Sequence, residues 1–168
     1  MPHRDLSATA CLVVAALSLS SRAHAELGGP LASVESDRGR MNAQLASVSM
    51  GGYARHALTR ANGGTVHEMT NADGQVFAVT WSGPGKPDLR ALLGSHFAIF
   101  QAARGGTGSS GTADGVGRAM HSLRRPPQVN EADLQIQAEG HMGWFRGVAL
   151  IPSLAPAGFV ASDLSKEP

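Results

Sequence analysis

The chain is poor in cysteine, in charge and in long hydrophobic runs, and each shortage removes a class of function. One cysteine occurs, Cys11, inside a segment that reads as a removable leader. The chain beyond that leader can form neither an internal disulfide nor a thiolate metal site. Charged residues make up 16% of the 168, well below the usual quarter. With Arg4, Arg22 and Asp5 set aside in the leader, twelve basic side chains balance twelve acidic ones. That balance gives no electrostatic reason to expect nucleic acid or an anionic membrane as partner, and Arg124-Arg125 is too short a basic cluster to supply one. The longest apolar run, Ala8 to Leu19, falls short of the roughly 20 residues that span a bilayer, so no stable membrane anchor is expected.

That run is the core of an export signal. Arg4 gives a basic start, Leu12, Val13, Val14 and Leu17 carry the apolar stretch, and Ala23-His24-Ala25 supplies the small-x-small site of signal peptidase. Cleavage is expected between Ala25 and Glu26, delivering the chain to a bacterial periplasm. Cys11 lies near the start of the apolar run, with most of that run after it, and is badly placed for a lipoprotein. Residues 26–168 should then form one domain, of a size that buries its own core. Hydrophobic residues at 42% exclude a wholly disordered chain. All 21 glycines lie after residue 25, which favours turns and loops over a helical bundle.

Along that domain the pattern predicts a short helix within Ser33–Ser49, capped by Ser33, with Val34, Met41 and Leu45 apolar. Three strands follow, Tyr53–Arg60, Thr65–Thr70 and Gln75–Trp81, separated by Asn62-Gly63 and by Asn71-Ala72-Asp73-Gly74. Both connections are short turns with Gly where positive φ is needed, so the run reads as an antiparallel meander. Ser82-Gly83-Pro84-Gly85-Lys86 should break the sheet. Pro87 and Asp88 then open the main helix, with Leu89, Leu92, Leu93, Phe97 and Phe100 at helical spacing and an end near Arg104. Arg104–Arg118 holds six Gly and four Ser or Thr in fifteen residues and reads as a flexible loop. Leu134, Ile136 and Ala138 alternate with Gln135, Gln137 and Glu139 in a half-buried strand, and Met142–Ile151 is its hairpin partner. Phe159 and Leu164 anchor an irregular tail. The expected fold class is α+β: about five antiparallel strands on one main helix.

Several blocks of this sequence resemble a known family. They are Leu27-Gly28-Gly29, Val66-His67-Glu68, the stretch Asp73–Pro84, Pro87–Gly94, and Gly140-His141-Met142 with Phe145, Gly147, Pro152 and Pro156-Ala157-Gly158. On these the chain resembles the bacterial domain of unknown function 2844 (DUF2844), a set of small exported proteins. The resemblance implies export and a single domain, and it carries over no catalytic residues.

The motifs with possible chemistry weigh toward ordinary packing. Gly106-Thr107-Gly108-Ser109-Ser110-Gly111 spells a dinucleotide fingerprint, but a helix precedes it where a strand is required. His67-Glu68 begins a zinc-helix pattern whose second histidine is replaced by Asn71. His96 falls on the apolar stripe of the main helix, as a ring at the core edge. His141 sits in a turn. No cysteine, G-x-S-x-G serine or spaced acid–base pair marks a nucleophile. If a site exists, His67, Glu68, His96 and His141 are its candidates.

The position of Glu68 depends on strand register. With two-residue turns it faces Ala57 and Val79, half buried beside Val66, Phe77 and Trp81. With bulged turns it faces His56 and Ala78, and His67 joins the Phe77, Val79 and Trp81 face. Asn-Ala-Asp-Gly favours the bulged form, which makes His56–Glu68 a surface pair. The expectation is a non-catalytic binding or interaction module with no cofactor, metal or catalytic residue. Its rivals are a hydrolase or metal-dependent enzyme built on the His/Glu set, and a structural protein of the envelope.

Overall fold

The computed structural model describes residues 26–105 and 126–164. The leader up to Ala25, His121 and all but the first two residues of the Gly-rich loop at 104–118 lie outside them. Among the described residues, no helix is long and apolar enough to cross a membrane.

Seven strands form one antiparallel sheet, rather than about five. They are β1 (Gln44–Ser49), β2 (Ala54–Thr59), β3 (Thr65–Thr70), β4 (Val76–Pro84), β5 (Gln128–Glu131), β6 (Leu134–His141) and β7 (Trp144–Leu150). Their order across the sheet is β1-β2-β3-β4-β7-β6-β5, so two meanders meet where β4 pairs with β7. The helices α1 (Ala32–Met41), α2 (Leu89–Leu93) and α3 (Phe97–Gly105) contribute to the core on one face. There Leu58, Val66, Val79, Trp81, Ile136 and Ala149 pack with Val34, Leu92, Leu93 and Phe100. The fold class is α+β, as the alternation of patterns implied.

The extra strands have local causes. The predicted helix over Ser33–Ser49 stops at Met41, because Asn42 takes a left-handed conformation (φ 47°) and its N–H caps the carbonyls of Arg38 and Gly39. The rest, Gln44–Ser49, finds an open edge of β2 to pair with and tucks Leu45 against the helix-side core, so it becomes β1. Ser33 does not cap α1; its hydroxyl donates to the Pro30 carbonyl. β5 follows Pro126-Pro127 and is held by Val129, 6% exposed, in the core. β4 runs on through Ser82-Gly83-Pro84, where a break was expected, because β7 supplies partners as far as Trp144.

The single main helix is in fact two. Asp88 is its N-cap, accepting from the Ala91 N–H at 3.2 Å. The run breaks at Gly94 (φ 52°, ψ −124°), where Glu26 occupies the space a side chain would need. The neighbouring Leu27 N–H donates to the Leu92 carbonyl at 3.0 Å. A 3-10 turn, Gly94–His96, then leads into α3. Gly39 in α1 is a different case: a Cβ there meets nothing within 4 Å. Gly39→Ala should stabilise the domain by about 0.5–1 kcal/mol, seen as a higher urea midpoint at unchanged m-value.

Both turns of the meander take the bulged form. Arg60 and Asn71 each close a three-residue loop, onto Gly64 and Gln75, with Gly63 and Gly74 at φ 83° and 74°. The first hairpin accordingly places Glu68 opposite His56. In the second, a further bulge intervenes: Thr70 pairs with Val76 but Met69 with Ala78, leaving Phe77 extra. Glu68 therefore faces Val79, not Ala78, and lies on the helix-side face with Val66, Val79 and Trp81. Phe77 joins the opposite face, with Tyr53 and Phe159 at ring-centroid distances of 5.8 and 4.9 Å.

Candidate functional site

The register sends the four sequence candidates apart. Glu68 is 1% exposed beneath the helices, and His67 is on the opposite face, across from Thr80. His96 lies in the 3-10 turn, half-buried, not packed on a helix stripe. Its charge acts on Asp133, whose carboxyl is held below the usual range by hydrogen bonds from Ser153 Oγ (2.7 Å) and the Ser153 N–H (2.8 Å) and by His96. His141 is exposed at the end of β6, paired with Trp144. His67 and His141 share a face but stand three strands and two rows apart, about 20 Å at sheet spacings. Among the described residues no three His, Cys, Asp or Glu side chains gather as a metal would require.

The expected surface pair of His56 and Glu68 is instead buried and does not bond. His56 is 6% exposed, with Nδ1 on Ser47 Oγ (2.9 Å) and Nε2 on Thr70 Oγ1 (3.0 Å). Burial lowers its pKa. Both Glu68 carboxyl oxygens are buried without a hydrogen-bond partner. Burial pushes that carboxyl up to about 7, against the opposing pull of the Arg40 guanidinium. Arg40 is also ion-paired with buried Asp37 of α1. Glu68 lines none of three surface hollows; the carboxyl itself is buried, while the Arg40 beside it is exposed.

The accessible arrangement lies on the other face of the sheet. The C-terminal tail covers its lower part: Leu154, Ala155, Phe159 and Leu164 pack on Met69, Phe77, Ala78 and Leu150. Above the tail, side chains stand in rows set by the pairing. One row runs His67, Thr80, Val148, Gln137; the next Thr65, Ser82, Arg146, Glu139; the last holds Trp144 and His141. All of these but Thr65 and His141 line a groove of about 450 Å³ that Leu164 of the tail also borders. Arg146 donates to Glu139 Oε2 through Nε (2.8 Å) and Nη2 (2.6 Å), so the two charges cancel within the groove. Trp144 is 47% exposed, whereas Trp81 on the helix side is 3% exposed. A second hollow, about 620 Å³, lies on the helix face beside Arg104 and Pro126, the described residues flanking 106–125.

Gln137 and Glu139 were legible in the sequence as a polar strand face, but Trp144 and Arg146 were missed. The available signal was the alternation of Trp144, Arg146 and Val148 against Phe145, Gly147 and Ala149.

The fold and this face define a small α+β protein with one sheet face covered by helices and the other partly open. The chain belongs to the family described as Protein of unknown function (DUF2844), which matches residues 23–164. Neither the curated proteins nor the solved structures include a significant match to it.

Proposed function

We propose that the protein is a periplasmic binding module, exported by the leader ending at Ala25, that holds a neutral glycan chain on the open sheet face. The observation that carries this reading is Trp144, half exposed beside planar polar side chains, in a groove whose charges cancel. An indole face stacks on the C–H face of a sugar ring, while Gln137, Thr80, Glu139 and Arg146 offer donors and acceptors to hydroxyls. The internal Arg146–Glu139 pair favours a neutral ligand over an anionic one. Export itself is tested by N-terminal sequencing of periplasmic protein, which should begin at Glu26.

Binding is tested by calorimetry with soluble, uncharged oligosaccharides, namely β-1,4-linked oligomers of glucose and of N-acetylglucosamine. Trp144→Ala should weaken binding at least tenfold, the loss expected from about 1.4 kcal/mol or more of stacking and burial. Its folding stability should stay within about 0.5 kcal/mol of wild type, as for other exposed positions. No measurable binding, or equal binding by the variant, would sink the proposal.

A further inference from the structure

The two edges of the sheet are protected very differently. β5 is a four-residue strand, ends at Glu131, follows Pro126-Pro127 and has α3 packed against it. Those are the usual devices that stop an edge from pairing with another chain. Among the described residues, β1 has none of them. Its six residues, Gln-Leu-Ala-Ser-Val-Ser, include no charge, proline or glycine, and its pairing with β2 is regular from end to end. Five of the six are exposed, and Val48 and Met50 present apolar side chains at 49% and 45% exposure.

We infer that β1 is a homodimer edge, pairing antiparallel with β1 of a second copy of this chain across a two-fold axis normal to the sheet. Such an axis keeps each face of the sheet continuous, so residues that meet across it must share a face. Leu45 and Ser47 lie on the helix-side face, opposite Leu58 and His56, while Ala46 and Val48 lie on the open face. The register centred on Ser47 satisfies this: Ser47 meets its own copy, Ala46 meets Val48, and Leu45 meets Ser49. No like charges oppose each other, and Val48 and Met50 both gain a neighbour. The nearest cation, Arg55, sits one strand in, opposite Val48. Its copy is three strand spacings across and one side-chain row along, about 16 Å away, where repulsion is screened. A strand pair with few interlocking side chains suits a weak, reversible dimer rather than an obligate one. The joined sheet has fourteen strands, with both open faces on the same side.

Sedimentation of the chain from Glu26 onward, from low-micromolar to near-millimolar concentration, should show a monomer–dimer equilibrium. Val48→Lys puts a charge on the exposed edge and should weaken dimerisation at least tenfold, with Ala46→Lys as an independent second probe. Both should keep the wild-type circular dichroism and melting temperature. The register is read by cysteine, because Cys11 is the sole native cysteine and lies before Glu26. Ser47→Cys should give a disulfide-linked dimer on mild oxidation, whereas Gln128→Cys on the opposite edge should not. A monomer at every concentration overturns the inference. So does a dimer that survives both lysine variants, or one that Gln128→Cys captures and Ser47→Cys does not.

Discussion

Raising the pH from about 5 to about 8 should remove about 2–3 kcal/mol of stability through Glu68 alone. The carboxyl is held on the helix side of the sheet, 1% exposed and without a hydrogen-bond donor. In the unfolded chain it ionises near 4.5; in the fold it does so at about 7. Between those values the folded state keeps a proton that the unfolded state has released. Stability is therefore fully present below about 4.5, declines as pH rises through about 7, and stays low above it. His56 acts in the opposite sense. Its depressed pKa removes stability as pH falls, so the Glu68 contribution must be isolated by comparison at each pH. Asp133 and Glu35, both lowered, act only in the more acidic range.

Glu68→Gln is the variant that isolates it. Urea midpoints should show the variant more stable than wild type by about 1–2 kcal/mol at about pH 8 and close to it at about pH 5. The gain is smaller than the full ionisation cost because the amide inherits the same lack of partners. The groups facing Glu68 are Arg40 from α1, itself paired with Asp37, His56 from β2 and Val79 from β4. A difference between variant and wild type that does not change with pH would show that the carboxyl ionises in the fold as it does in the unfolded chain, and would overturn the raised value.

Gly147→Ala should cost about 3 kcal/mol, the upper range for forcing atoms into a filled core. Gly147 lies on β7 between Trp81 of β4 and Ala138 of β6. Trp81 lies across it, and a Cβ there would fall inside the indole's contact distance and 2.5 Å from the Gln137 carbonyl oxygen. The ring is 3% exposed and packs with Val79, Leu89 and Phe100 in the same core, so moving it aside costs those contacts. The carbonyl belongs to the β6 ladder and cannot move without breaking pairing. Chemical denaturation measures the loss, and Trp81 emission should shift with it. In a Trp81→Phe background the same change should cost less, since the clash with the larger ring is gone. An alanine tolerated within about 0.5 kcal/mol would mean that Trp81 does not lie across β7.

Both predictions trace to features that local pattern specified unequally. β3 was legible to the residue, because its limits are marked by Asn62-Gly63 on one side and Asn71–Gly74 on the other. The turn chemistry was also right at both ends, as Gly63 and Gly74 carry the positive φ of bulged loops. The alternation Leu134, Ile136, Ala138 against Gln135, Gln137, Glu139 placed the body of β6 and foretold the polar groove wall. The strand, however, runs on through Gly140-His141, where a turn was expected, and the hairpin turns at Met142-Gly143. Phe159 and Leu164 anchor the tail as expected. Where β4 is concerned, no such reading was possible. It is buried on both faces from Val76 to Trp81, so it has no polar alternation to set register, and the extra residue at Phe77 left no mark.

The sequence by itself determined the α+β class and the central meander with its turns, and it is the whole basis of the proposed export. Each depends on residues close together along the chain, where turn chemistry and hydrophobic period act directly. Only the tertiary structure decided that Gln44–Ser49 is an edge strand, that the long helix breaks at Gly94 against Glu26, and that Glu68 turns inward. Those outcomes depend on contacts between distant segments: β1 on the free edge of β2, Gly94 on the N-terminal residues, and the Phe77 bulge on packing under the C-terminal tail. Local propensity at such positions is nearly balanced, and the partner that arrives from elsewhere in the chain tips it.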